Sequence, residues 1–304
     1  MSRIEKALEN AVKLRETTAK TTVVTEPHST EAAVAEPFFE IGEPLVDQSL
    51  VDRHIVFIAD PQSPAVEQYR KLRARIIRNP RKDALKPHMI ASADAGEGKT
   101  ITAINLAVAI AQEIDHTVLL VDADLRNPSV HKYLGIKPQF GLSDYLMNKA
   151  ALPDVLIKTG IGKLVLLPAG TPVENPAELL ASERMRDLVR EMKQRYRDRY
   201  VIFDSAPVLL AADALSLGSY TDGIIFVVHA DHTAQKTASE ALSLLKGYNV
   251  LGSVFNNVPA HLGRSGYPYH YRYGGRYQIG KSRKNDEGNN GAGPKTDQSK
   301  TQSA

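Results

Sequence analysis

The sequence predicts an α/β fold, a mostly parallel sheet with helices on both faces. Three observations carry this. From residue 89 onward short apolar runs alternate with longer helical patterns, which is how a parallel sheet with crossover helices reads. Most of the apolar runs are unbroken, as in strands buried on both faces. Acidic and glycine-bearing segments follow the ends of those runs, where open parallel sheets place their ligands.

Taken in order, residues 1–16 pattern as a short amphipathic helix with Ile4, Leu8, Ala11 and Val12 on one side. Residues 17–50 hold Thr, Glu, Ala and Pro without period and read as a linker, with order starting near Val51. The run Ile55-Val56-Phe57-Ile58 is expected to be a short strand. A turn over 61–64 follows, in which Ser63 caps a helix over 65–78. On that helix Tyr69, Leu72 and Ile76 share a face. Glu67, Arg70 and Arg73 form a charged ridge beside it, whose plain reading is a solvated helix face.

Strands are predicted at 89–91, 117–121, 163–167, 200–203, 223–228 and 250–255, and helices at 101–114, 178–197, 211–219 and 233–247. After Val258 the composition changes: Tyr267, Tyr269, Tyr271, Tyr273 and Tyr277 are five of the chain's 12 tyrosines. Residues 281–304 are polar and read as disordered. The predicted organisation is therefore 1–50 helix and linker, 51–262 α/β domain, and 263–304 tyrosine cluster and tail.

Composition narrows the class. A net charge of +3 over 304 residues gives no argument for a nucleic-acid partner. With no cysteine there is no disulfide scaffold or thiolate metal site, which fits a reducing cytoplasm. No apolar run approaches the roughly 18–20 residues of a membrane span, and the charged start MSRIEKALEN is unlike a secretory signal.

Three motifs carry chemistry. The first is ASADAGEGKT, residues 91–100, between an apolar strand and a helix. Strand, glycine-bearing loop, Lys-Thr and helix form the phosphate-binding loop arrangement. Glycines let backbone N–H groups converge on one phosphate, and the helix start adds its positive end. Ala95, Gly96, Glu97, Gly98, Lys99, Thr100 and Ile101 are the expected ATP contacts, with Lys99 on the outer phosphates and Thr100 on Mg²⁺. Ala93 stands where the usual first glycine would be. The second motif, VLLVDADLRNPSVHKYLG over 118–135, sets Asp122 and Asp124 after a buried strand. A lone acid at a strand end is often a helix cap; two facing a phosphate loop are better read as Mg²⁺ ligands and catalytic carboxylates. The third, YVIFDSAP over 200–207, ends an apolar strand in Asp204, a Walker B pattern in which the carboxylate holds Mg²⁺.

These motifs together resemble the bacterial tyrosine kinases, the cytoplasmic partners of polysaccharide co-polymerases, over residues 51–258. Glu67-x-x-Arg70-x-x-Arg73 is similar to that family's oligomerisation motif, and 92–100 to its SxxPGEGKT loop with Ala95 in place of proline. Asp122-Ala-Asp-Leu-Arg126-x-Pro128 with His131 resembles its second Walker motif. The segment 167–180, with Gly170, Asn175-Pro176 and Glu178, resembles its connecting segment, and Asp204-Ser-Ala-Pro207 its D-S-P-P with one proline replaced. The start MSRIEKALE resembles the exosortase (XrtA)-associated subgroup.

The resemblance implies a P-loop NTPase fold of the deviant Walker class shared with MinD and ParA, and ATP-dependent autophosphorylation. Mg²⁺ would be held by Thr100, Asp122, Asp124 and Asp204, with Lys99 and those carboxylates catalytic and Asp122 placed to orient or deprotonate the acceptor hydroxyl. The five tail tyrosines become phosphoacceptors, and Glu67, Arg70 and Arg73 a contact within a ring-like homo-oligomer. A membrane-embedded co-polymerase becomes the activator, a tyrosine phosphatase a further partner, and the inner face of the membrane the site of action. Its process would be exopolysaccharide or capsule polymerisation and export. Three rivals stand beside this. A MinD/ParA-type switch ATPase would carry a lysine where this chain has Asp94. A nucleotide-binding scaffold would lack kinase activity, and a tail stacking on single-stranded nucleic acid would bind salt-sensitively.

Overall fold

The computed structural model describes residues 46–78, 87–195 and 199–259. The described residues fall within one compact unit. The expected N-terminal helix over 1–16, most of the linker, the tyrosine cluster and the tail lie outside the described residues.

Seven strands form one sheet in the order β3-β4-β2-β5-β1-β6-β7. They are β1 (Pro87–Ser92), β2 (Thr117–Asp122), β3 (Ile157–Lys158), β4 (Leu164–Leu167), β5 (Arg199–Asp204), β6 (Gly223–His229) and β7 (Val250–Asn256). Every pairing is parallel except β3 with β4. The six predicted strands are all present, most of them a residue or two longer at an end. The two-residue β3 was not predicted, being too short to show a period.

Strand alternation sorts the core into two faces. Met89, Leu119, Val201, Phe203, Ile224 and Phe226 point to one side. There they meet Met185, Leu188, Val189 and Met192 of α8 (Glu183–Arg195), Ala214 and Leu217 of α9 (Asp213–Gly218), and Ala241 of α10 (Gln235–Leu244). Ile90, Leu120, Ile202 and Ile225 point to the other, against α3 (Lys99–Ala111). Helix α3 is apolar nearly all round and buried along almost its whole length, as a helix sandwiched between layers must be. Its outer side is covered by α1 (Val56–Ala59) and α2 (Pro64–Ile77). Helix α2 starts one residue earlier than predicted, at Pro64, and Ser63 caps it as expected, its hydroxyl accepting the Ala65 N–H at 3.4 Å. Its face of Tyr69, Leu72 and Ile76 packs inward.

Two expectations are corrected. The run 55–58 is no strand but the helical turn α1. The buried Asn105 of α3 accepts the Val56 N–H at 2.9 Å and donates to the His54 carbonyl at 2.9 Å, so the backbone groups that a sheet would pair are satisfied there by a side chain. The single helix expected over 178–197 is two, α7 (Pro176–Leu180) and α8. The Ser182 hydroxyl takes the Met185 N–H at 3.2 Å and restarts the helix. The short helices α4 (Val130–Tyr133), α5 (Leu142–Leu146) and α6 (Leu152–Val155) were not foreseen. Order also begins before Val51, with a 3₁₀ turn at Gln48–Leu50. Among the described residues no helix is long and apolar enough to cross a membrane.

Candidate active site

The register of the three central strands brings the motifs together. Ile90 of β1 pairs with Asp204 of β5, and Asp204 pairs with Asp122 of β2. β2 and β5 therefore end at one level, β1 runs two residues further to Ser92, and the loop after it rises beside two aspartates.

That loop is shaped by two glycines in the left-handed region, Gly96 at φ 77° and Gly98 at φ 90°, after which Lys99 opens α3. No β-carbon tolerates such angles cheaply. Ala93 is not among the residues with positive φ; it is buried and gives its N–H to the Glu97 carboxylate at 2.7 Å. The missing first glycine is therefore not required by this backbone. Glu97 itself is buried, and its side chain points into the protein.

Lys99 Nζ lies 2.8 Å from Asp124 Oδ2 and 3.7 Å from Asp204 Oδ1. Thr100 donates its hydroxyl to Asp204 Oδ2 at 2.7 Å, and Ser129 stands 3.3 Å from the same hydroxyl. Asp124 Oδ1 accepts the Asn127 N–H. Asp122 Oδ2 accepts the N–H groups of Ser129 and Val130, both at 3.1 Å. Asp122 thus plays the helix-capping part open to any strand-end acid, but with one oxygen only. Its Oδ1, like Asp204 Oδ1, is buried without a hydrogen-bond partner.

Burial sets the electrostatics. Asp122 is pushed up to about 8, first by loss of water and then by the charge of Asp204. Asp204 is also raised by burial, against the pull of Lys99. Burial works against the Lys99 ammonium, but Asp204 and Asp124 outweigh it and the group is raised.

Among the described residues no three His, Cys, Asp or Glu side chains cluster as a metal cage. Mg²⁺ does not need one: it commonly takes one or two carboxylates and completes its shell with water and substrate phosphates. Two unpartnered buried carboxylate oxygens beside a threonine hydroxyl suit such a hard cation. Asp124 differs, since both its oxygens are engaged.

Other contacts support the site that the sequence alone did not show. Arg126 forks onto the buried Asp213 at the start of α9, Nε to Oδ2 at 2.8 Å and Nη2 to Oδ1 at 3.0 Å, tying the 122–130 loop to α9. Thr233 and Asn256 reach the phosphate loop from the ends of β6 and β7. Each lies more than 80 residues along the chain from its partner, so no local pattern could announce it.

The ridge on α2 divides. Arg70 pairs with Glu67 at 3.5 Å on the half-exposed face. Arg73 turns inward, its Nε 2.9 Å from Glu113 and its Nη1 donating to the Ala109 carbonyl at 2.9 Å.

A family profile described as an AAA domain matches residues 88–249, just over half of the chain. The tyrosine-protein kinase YwqD of Bacillus subtilis (strain 168) is 37% identical over 211 residues, covering 68% of this chain and 87% of that protein. The chain belongs to the bacterial tyrosine kinases. The putative tyrosine-protein kinase CapB of Staphylococcus aureus is 29% identical over 216 residues, covering 70% of this chain and 92% of CapB. Among solved structures, the kinase domain of the Escherichia coli tyrosine kinase ETK superposes with a TM-score of 0.63 at 31% identity, covering 72% of this chain and 84% of that one. In this bacterial tyrosine kinase the loop at 91–100, the paired aspartates and Asp204 all fall within the matched span.

Proposed function

We propose that this chain transfers the γ-phosphoryl group of ATP to tyrosine hydroxyls, those of its own 263–280 segment in a neighbouring subunit foremost. One observation carries the reading: buried Asp122 Oδ1 and Asp204 Oδ1 lack hydrogen-bond partners, and Lys99, the first helical residue after a glycine-shaped loop, lies 3.7 Å from Asp204 Oδ1, in a member of the tyrosine kinases.

The loop N–H groups and Lys99 hold the β- and γ-phosphates. Lys99 is drawn from its carboxylate partners toward the phosphates as they enter. Thr100, Asp204 and Asp124, whose Oδ2 is released once Lys99 turns to the phosphates, would hold Mg²⁺, whose charge would neutralise the oxygens of the transferring group. A cation held there would favour the ionised form of Asp122, whose open Oδ1 is placed to accept the phenolic proton. The tyrosine oxygen–phosphorus bond forms, the bond from phosphorus to the β,γ-bridging oxygen breaks, and ADP leaves. A phenol of pKa about 10 is almost wholly protonated at neutral pH, so a positioned base helps. Most of the catalysis is positioning and charge neutralisation.

The remaining roles follow from the same reading. The catalytic domain runs from 51 to 262, and Glu67 with Arg70, assisted by Arg73, joins subunits in a ring. A membrane-embedded polysaccharide co-polymerase recruits the chain to the inner face of the membrane. Tail phosphates, about −1.5 to −2 charges each, loosen the ring and so regulate polysaccharide export, and a phosphatase reverses them. Incubation with Mg·ATP followed by phosphosite mapping tests the core claim. Phosphotyrosine is expected within 267–277 and lost in Lys99→Met; an equal yield from Lys99→Met rejects the assignment.

A further inference from the structure

Glu97 occupies the centre of the phosphate loop, yet its carboxylate turns away from the side where a phosphate would lie. It is 2% exposed. One oxygen, Oε2, accepts the N–H of Ala93 at 2.7 Å and of Asp94 at 3.2 Å. The other, Oε1, accepts the Thr233 hydroxyl at 2.6 Å. Thr233 follows β6, and its oxygen in turn accepts the His229 N–H at 3.0 Å. The Glu97 carbonyl accepts the Asn256 amide at 3.1 Å from the end of β7. That amide fills the space a side chain on Gly98 would need, its nitrogen lying 1.8 Å from where a β-carbon would stand.

We propose that Glu97 is a positioning residue, an internal anion around which the phosphate loop is moulded, and that Thr233 and Asn256 brace it from the neighbouring strand ends. A loop whose N–H groups converge is costly to hold without an anion, because its dipoles repel. Glu97 supplies a built-in carboxylate at the base of the loop and consumes two of those N–H groups. The glycine-flanked N–H groups from 96 onward are left to face a phosphate. With Thr233 and Asn256 in place, the carboxylate cannot swing out to compete with the nucleotide. The loop then meets ATP already shaped, and less ordering is lost on binding.

This rests on the reading that the loop binds ATP, and the experiment separates the two. Binding of a fluorescent ATP analogue with Mg²⁺ is titrated on the full chain, alongside steady-state phosphorylation of a 263–280 peptide. Thr233→Val keeps the shape and removes the donor. It is expected to weaken nucleotide binding and raise the ATP KM by about tenfold while leaving kcat at saturating ATP near wild type. Thr233→Ser is expected to restore both. Asn256→Ala, which leaves the carboxylate contacts intact, is expected to weaken binding in the same sense. Wild-type affinity in Thr233→Val overturns the proposal. So does a loss of melting temperature and kcat together with unchanged affinity, which would mark a merely structural contact. Failure of the unaltered chain to bind the analogue at all rejects the ATP reading instead.

Discussion

Asp122 and Asp204 are direct partners across the β2–β5 pairing, and each buries one carboxylate oxygen that has no hydrogen-bond partner. Two acids held so close, out of water, resist ionising together. The site therefore stores a proton as well as a place for a cation.

That proton is measurable. An aspartate in the unfolded chain titrates near 3.9, while Asp122 in the fold is pushed up to about 8. Between those values the folded protein keeps a proton that the unfolded chain has released. Its contribution to stability is whole below about pH 4 and fades as pH rises through about 8. The metal- and nucleotide-free protein should melt at progressively lower temperature from about pH 5 to about pH 8.5. Asp122→Asn, which imitates the protonated acid, should flatten the slope and abolish phosphotyrosine formation. A flat wild-type profile would show that Asp122 is ionised throughout.

Arg126 and Asp213 form the strut between the aspartate loop and α9. Asp213 is almost fully buried while Arg126 is half exposed. Arg126→Ala leaves a buried carboxylate without its fork and should cost about 1–3 kcal/mol in urea unfolding. Arg126→Lys should recover only part of this, since an ammonium cannot match both oxygens. In the Arg126→Ala, Asp213→Ala pair stability should return toward wild type while activity stays low, because the 122–130 loop is still untethered.

The two loop glycines should respond differently to alanine. At Gly96 nothing lies within 4 Å of an added β-carbon, so only the left-handed backbone resists, at about 1–2 kcal/mol. At Gly98 the same strain is joined by collision with the Asn256 amide. Gly98→Ala should therefore lose much more nucleotide affinity than Gly96→Ala, as isothermal titration would read directly. Equal losses would mean that Asn256 simply steps aside.

The α2 ridge offers a separation of folding from assembly. Arg73→Ala removes contacts to Glu113 and to the Ala109 carbonyl, and should destabilise the subunit by about 1–2 kcal/mol. Glu67→Ala and Arg70→Ala touch only an exposed pair and should shift subunit stability by at most about 0.5 kcal/mol, yet reduce the oligomer seen by light scattering. If the oligomer survives both, the ridge is a solvated face.

The sheet was legible because buried parallel strands leave unbroken apolar runs, and 117–121 or 223–228 could hardly be anything else. The meeting of the loop at 91–100 with Asp122, Asp124 and Asp204 was legible because each follows the end of a predicted apolar strand. What stayed hidden depended on contacts distant in sequence. Residues 55–58 look like a strand until Asn105 claims the Val56 N–H. The role of the Glu97 side chain stays hidden until Thr233, 136 positions later, is seen to hold its carboxylate. Arg73 reads as one of three equivalent ridge charges until Glu113 turns it inward. The break at Ser182 was within reach, since a serine three positions before Met185 is a familiar cap.

Arg73 has a mechanical consequence. It grips the far end of α3, whose first residue is Lys99. Thirteen residues of helix make a rod about 20 Å long, seated between sheet and α2 and too stiff to absorb a shove along its axis. If subunits join through α2 as proposed, one that leans on it would have a pushrod running straight to the lysine that would meet the phosphates.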